Sequence, residues 1–193
     1  AASDDYKRQL EAEVLDGRLD SGLNVCNEVC DKWAANAEKV VLYYETEDGG
    51  DGVLTFAELT QASARFANYL KLQGVAKGDC IAGLLPRTPE LLIVMAGAWR
   101  IGAVYQPLFT AFGSGAIEYR LERASTKLIV TNPANRSKLD DVKNCPSVLC
   151  VDSAEAGHGD ADFYQALGEQ SGQFEPVLIK GTDPFLQMFT SGT

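Results

Sequence analysis

From residue 80 onward the sequence repeats one pattern, and that pattern leaves few folds open. A short apolar run gives way to a turn, then a helical stretch, then another short apolar run. The runs are Cys80-Ile-Ala-Gly-Leu-Leu85, Ala103-Val-Tyr-Gln-Pro-Leu108, Lys127-Leu-Ile-Val-Thr131 and Val148-Leu-Cys-Val151. Each is short and almost wholly apolar, as expected of strands buried on both faces. Between the first two, Thr88-Pro89-Glu90 opens a helix with Thr at the N-cap and Pro at the first helical position. That helix is apolar nearly all round from Leu91 to Trp99 and ends at Gly102, which places it inside the core. Residues 113–124 read as a helix with Ile117 and Leu121 inward, and 136–142 and 163–167 as shorter helices. Strands alternating with helices at this spacing predict an α/β fold: a mostly parallel sheet with helices on both faces.

Before residue 80 the pattern differs. Residues 1–20 are polar with weak helical spacing, and 1–24 read as a peripheral arm. From 23 to 37, Leu23, Cys26, Val29, Cys30, Trp33, Ala34 and Ala37 fall on one stripe, which predicts a helix. Two β-rich runs, 40–46 and 53–56, flank a cluster of Gly and acidic residues and read as a hairpin. Thr55 and Glu58 then form a capping box before a long helix that ends at Gly74.

Composition narrows the function. The formal net charge of −10 argues against duplex nucleic acid, which needs a basic surface. It leaves room for a small anion held by a local pocket of N–H groups. The longest apolar run, Leu91 to Trp99, is too short to span a bilayer. The acidic start is not a signal peptide. Five cysteines, an odd number, fit reduced thiols in the cytoplasm. Cys26 and Cys30 would share a helix face, but the single histidine, His158, lies in a Gly-rich loop, so no metal site is expected.

In a parallel sheet, ligands bind beyond the carboxyl ends of the strands. The loops predicted there are 86–88, 107–113, 132–135 and 190–193. Neither a dinucleotide fingerprint nor a P-loop sequence is present, and one histidine gives no Ser/His or Cys/His pair. What remains is the run Phe185-Leu-Gln-Met-Phe189, read as the last strand, followed by Thr190-Ser191-Gly192-Thr193. Hydroxyls and a glycine after an apolar strand suit phosphate oxygens. A polar turn closing a buried strand would look the same.

The set of segments as a whole resembles the amino-terminal part of the adenylate-forming enzymes: acyl-CoA synthetases, luciferases and peptide-synthetase adenylation domains. The resemblance rests on Leu54-Thr-Phe-Ala-Glu-Leu59, Ala67-Asn-Tyr-Leu70, Gly74-Val-Ala-Lys-Gly-Asp79, Leu85-Pro-Arg-Thr-Pro-Glu90, Gly102-Ala-Val-Tyr-Gln-Pro-Leu-Phe109, Ala116-Ile-Glu-Tyr-Arg-Leu121 and Thr190-Ser-Gly-Thr193, in this order. It covers about residues 25–193, and Pro107-Leu-Phe-Thr-Ala-Phe-Gly113 is most similar to acetyl-CoA and short- to medium-chain acyl-CoA synthetases.

The resemblance implies a two-step reaction using ATP, Mg²⁺ and coenzyme A. A carboxylate attacks the α-phosphorus of ATP, and the thiol of coenzyme A then displaces AMP. It implies a phosphate-loop role for Thr190, Ser191, Gly192 and Thr193, which match the first half of Thr-Ser-Gly-Thr-Thr-Gly-x-Pro-Lys. It places Phe109 and Thr110 along the pantetheine tunnel and Arg136 on the nucleotide phosphates of coenzyme A. Core packing is the other reading for Phe109, and a solvated helix start the other for Arg136. The remainder of the phosphate loop and the catalytic lysine of the family have no counterpart here. The chain is therefore expected to be part of such an enzyme, inactive alone and with apolar surface uncovered. An aryl-CoA ligase, an amino-acid adenylation domain and a non-catalytic α/β binding module remain alternatives.

Overall fold

A computed structural model describes residues 2–46 and 49–189. Among the described residues, five strands form one parallel sheet. They are β3 (Cys80–Leu84), β4 (Val104–Pro107), β5 (Leu128–Thr131), β6 (Ser147–Cys150) and β7 (Ala161–Asp162). Their order is β4-β3-β5-β6-β7. β3 and β5 are buried at every position, as their apolar composition requires. Register sets Ile81 opposite both Tyr105 and Leu128.

The two faces of the sheet carry separate cores. On one face, helices α3 (Phe56–Leu72), α4 (Pro89–Arg100) and α7 (Phe163–Gly168) cover Ile81, Tyr105, Val130 and Leu149. On the other, α5 (Ser114–Arg123) supplies Ile117 and Leu121, which pack with Leu139 and Val142 on Ala82, Leu84 and Ile129. α3 starts on the expected capping box: the Glu58 N–H donates to Thr55 Oγ1 at 3.1 Å, and the Thr55 N–H donates to Glu58 Oε2 at 2.8 Å. α3 and α4 approach closely at Gly97. A Cβ there would stand 2.6 Å from Phe66 Cδ1 and 3.0 Å from the Ser63 carbonyl, so only glycine fits.

The smaller elements lie outside that sheet. α1 (Ala2–Val14) is the amino-terminal helix, exposed along most of its length. Strands β1 (Val40–Glu45) and β2 (Asp51–Thr55) make the expected antiparallel hairpin. Residues 169–179 form a strap held by side chains. Arg65 donates to the Gln170 carbonyl, Asn68 to those of Ser171 and Gln173, and buried Asn24 to those of Val177 and Trp99.

Three expectations need correction. The helix predicted over 23–37 is only a short α2 (Val25–Val29) followed by a 3-10 turn at Asp31–Trp33. Polar ties break it. Glu28 turns to the N–H groups of Asp16 and Gly17, and Asp31 is drawn to Arg100, leaving Cys30 in a non-helical conformation. Val29 and Trp33 are exposed rather than buried. The helix predicted over 136–142 begins earlier, as α6 (Pro133–Arg136), then a 3-10 turn at Ser137–Leu139, because Pro133 pre-sets the first helical position.

The strand expected over 185–189 is a single parallel bridge from Leu186 to Tyr105. Tyr105 donates to the Phe185 carbonyl at 3.0 Å and accepts from the Gln187 N–H at 2.9 Å. The next rung of a parallel ladder would need an N–H from residue 107, which is a proline. Pairing stops there, and Phe185, Leu186 and Met188 are exposed.

Candidate functional site: the carboxyl edge of the sheet

All five strands run the same way, so their carboxyl ends share one edge. The chain leaves β3 toward α4 on one face, whereas it leaves β4 and β5 toward the opposite face. Neighbouring strands that diverge in this way open a crevice at their carboxyl ends. The loops around it are 85–88, 108–113 and 132–136.

The second and third of these loops are tied together. The Lys138 ammonium donates to the Thr110 carbonyl and, at 2.8 Å, to Asn135 Oδ1, while Asn135 Nδ2 donates to Asn132 Oδ1 at 2.7 Å. Phe109 is 55% exposed, and its ring stands edge-on to Phe112 at 5.3 Å. The Arg120 guanidinium covers the other ring of that pair, 4.2 Å from the Phe112 centroid. Phe109 is thus a presented aromatic side chain on a braced loop, not a core residue.

Arg136 sits in the third loop with its side chain mostly buried and engaged. It donates to Asp140 Oδ1 at 2.9 Å and, from two nitrogens, to the Asp160 carboxylate. Its hydrogen bond to Asp160, with the charges of both acids, outweighs burial and raises its pKa above the usual arginine value. His158 Nε2 lies 3.3 Å from Asp140 Oδ2 on the far side. At the α4 end of the crevice, Tyr164 donates its hydroxyl to Glu90; burial, then Glu90, raises the phenol pKa.

Segment 185–189 runs parallel to β4, toward this same edge. Phe189 stacks edge-on to Tyr119 at 6.1 Å, with Arg120 6.0 Å from its ring. Thr190, Ser191, Gly192 and Thr193 lie outside the described residues. The structure therefore brings Phe109, Thr110 and Arg136 to one edge. It adds Lys138, Asn135, Arg120 and Asp160, which sequence reasoning missed. The Asn135 and Lys138 pair was readable, since residues three apart on a helical turn share a face. Asp160 reaches Arg136 from 24 residues away and left no local signal.

Among the described residues, the group of three side chains able to ligate a metal is Cys26, Cys30 and Asp31. It lies by Arg100 at the end of α4, the opposite edge of the sheet. Two thiols do not suit Mg²⁺, which takes oxygen ligands in octahedral geometry.

Comparison with known proteins places these features in context. The family described as AMP-binding enzyme matches residues 30–193. An acetyl-coenzyme A synthetase of Bacillus subtilis is 36% identical over 177 residues, covering 89% of this chain and 31% of its own length. An acetyl-coenzyme A synthetase 1 of Candida albicans is 29% identical over 214 residues, covering 98% of this chain and 31% of its own. The crystal structure of an acyl-CoA synthetase from Brucella canis superposes with a TM-score of 0.91 at 47% identity, covering 96% of this chain and 34% of that one. The chain spans about a third of the length of the relatives it matches.

Proposed function

This chain belongs to the AMP-binding enzyme family, and from that premise we propose that its function is AMP-forming acyl-CoA synthesis. The single observation that carries the proposal is the 47% identity to the Brucella acyl-CoA synthetase across 96% of the chain. In this reading a small carboxylate attacks the α-phosphorus of ATP and pyrophosphate leaves. The acyl-adenylate then meets the thiol of coenzyme A, and AMP departs. A carboxylate is a poor acyl donor at neutral pH; the adenylate replaces an oxide leaving group with a stable phosphate.

The carboxyl-edge residues take defined parts. Phe109 and Thr110 flank the pantetheine arm, the exposed ring giving apolar contact and the Lys138 bond to the Thr110 carbonyl fixing the loop. Arg136 takes a phosphate of coenzyme A by exchanging the Asp140 and Asp160 carboxylates for it, a bidentate match for a guanidinium. Thr190, Ser191, Gly192 and Thr193 hold phosphate oxygens of ATP through hydroxyl and backbone N–H donors. The parallel course of segment 185–189 supports that placement. Mg²⁺ would offset charge on the departing pyrophosphate. None of the roles given to these residues depends on it.

The substrate is a short- or medium-chain aliphatic acid in this proposal, in keeping with the similarity to acetyl-coenzyme A synthetases. Residues 1–24 form an arm and 25–193 the amino-terminal part of the AMP-binding domain. Because the chain spans about a third of its relatives, these 193 residues alone are expected to catalyse neither step. Five free cysteines favour the cytoplasm, and among the described residues no helix is long and apolar enough to cross a membrane.

The test is thioester formation by the complete gene product from ATP, coenzyme A and single acids: acetate, propionate, butyrate, octanoate, benzoate and amino acids. Thioester, AMP and pyrophosphate from one of the aliphatic acids support the reading. Activation confined to benzoate or an amino acid replaces it with another adenylate-forming ligase, and no activation overturns it.

A further inference from the structure

A second cluster of reactive side chains lies at the opposite edge of the sheet and has no part in the reaction above. Cys26 and Cys30, four residues apart at α2 and its cap, bring their sulfurs and an Asp31 oxygen within 4.8 Å of one another. Asp31 is not free to bind a metal. Its carboxylate accepts two N–H groups of Arg100, at 2.9 and 2.5 Å, and the Thr60 hydroxyl at 3.1 Å. What remains is a pair of thiols beside a guanidinium. Residues four apart on a helical turn stand about 5–6 Å apart at Cβ, a short closure from disulfide distance.

We propose that Cys26 and Cys30 are an oxidisable dithiol, a modification site for small hydroperoxides that closes to a disulfide within one turn of chain. Access is built in. An open cleft of about 480 Å³ lies beneath strap residues 172–175 and is lined by Thr60, Ala64 and Arg100. Thr60 Oγ1 stands 3.3 Å from Cys30 Sγ, so a molecule the size of a peroxide in the cleft is one side chain from the sulfur. The two sulfurs differ in place: Cys30 Sγ lies against Thr60, which lines the cleft, whereas Cys26 Sγ stands 3.8 Å from Ser63 Oγ behind it. The Cys26 thiol, then the Thr60 hydroxyl, pull the Cys30 pKa down against burial. Cys26 is pushed up by its bond to Cys30 and by burial. Elsewhere, burial pushes Cys80 and Cys150 up to about 11.

The chemistry balances with one peroxide. The Cys30 thiolate attacks a peroxide oxygen, the O–O bond breaks, and the departing oxygen leaves as hydroxide and is protonated to water. Cys30 is then a sulfenic acid. The Cys26 sulfur attacks the Cys30 sulfur, the S–O bond breaks, and the hydroxyl leaves as water with the Cys26 proton. Two thiols have lost two electrons and one peroxide has become two waters. The new S–S bond draws Cys30 away from Thr60 and from the Phe56 carbonyl, two of the contacts that hold α2 on α3.

The experiment exposes the folded protein to hydrogen peroxide, then alkylates it and digests it with trypsin. Both cysteines fall in one peptide, Leu19 to Lys32. The expected result is a peptide lighter by two hydrogens, refractory to alkylation and restored by a dithiol reductant. It should form roughly tenfold or more faster than Cys80 or Cys150 is lost, since the thiolate is the nucleophile. In Cys26→Ser, dimedone should trap a sulfenic acid at Cys30; in Cys30→Ser, Cys26 should stay unmodified. The proposal is overturned if the peptide keeps two alkylatable thiols while Cys145 is oxidised, if it closes only after unfolding in urea, or if Cys26 is the residue that dimedone traps.

Discussion

Asp31→Ala should be strongly destabilising, and its cost follows from the geometry of Arg100. That guanidinium is only 3% exposed and is held by Asp31, by Ser63 Oγ at 3.0 and 3.2 Å, and by the Thr60 carbonyl at 3.5 Å. Removing the carboxylate leaves a full positive charge in the core with two neutral oxygens. Breaking a buried pair by removing one partner costs about 3–5 kcal/mol, because the surviving charge stays desolvated. For a domain of this size that corresponds to a fall in melting temperature of about 6–20 °C. The assay is urea unfolding of the 193-residue chain, reading the midpoint at unchanged m-value. The cause is isolated by the double variant Asp31→Leu with Arg100→Met. It removes both charges, and Ser63 keeps its bond to the Thr60 carbonyl at 3.0 Å. The double variant should therefore be more stable than Asp31→Ala alone. A cost for Asp31→Ala below about 1 kcal/mol, or a double variant as unstable as the sum of its parts, would refute the reasoning.

Other perturbations follow from single contacts. Glu28 is partly desolvated, which pushes its carboxyl up. The N–H groups of Asp16 and Gly17 and the Lys32 ammonium outweigh this and hold it below the usual carboxylate value. Its contribution is thus present above the unfolded pKa of about 4.3 and lost as pH falls through the lower folded value. The stability gap between wild type and Glu28→Gln, measured by urea midpoints from neutral to acid pH, should shrink to nothing in acid; a constant gap would contradict the assignment. Tyr105 is 2% exposed, and its hydroxyl has no hydrogen-bond partner among the described residues. Tyr105→Phe should therefore be neutral or stabilising by about 1–3 kcal/mol in thermal unfolding. A clear loss of stability would show that the hydroxyl has a partner. Gly97→Ala should destabilise by about 1–3 kcal/mol despite the better helix propensity of alanine, because its Cβ meets Phe66 and the Ser63 carbonyl; a rise in melting temperature would mean the α3–α4 contact relaxes.

The parts of this fold that announce themselves in sequence are those fixed by neighbours in the chain. Thr55 and Glu58 cap α3 three residues apart, Pro89 starts α4, and the apolar runs of β3 and β5 have no polar face to leave in doubt. What stayed hidden depends on partners far along the chain. Arg100 reads as an ordinary cation in the last turn of a helix, and nothing near it reveals that Asp31, 69 residues earlier, will bury its charge. The same pair ends the helix that the apolar stripe from Leu23 to Ala37 predicts. Segment 185–189 has strand composition, but Pro107 on its neighbour withholds the N–H that a second rung needs. Motif resemblance singles out Phe109 and Arg136, and both lie at the carboxyl edge of the sheet. Only the structure supplies the Asp140 and Asp160 carboxylates with which any phosphate must compete.

The most direct test of the proposed chemistry is acid-dependent exchange of labelled pyrophosphate into ATP by the complete gene product, without coenzyme A. This isolates adenylation from thioester formation. An AMP-forming acyl-CoA synthetase gives label in ATP only when a short- or medium-chain carboxylate is present. A folded protein that incorporates no label with any carboxylate contradicts the proposed function and leaves the carboxyl edge as a binding surface without this reaction.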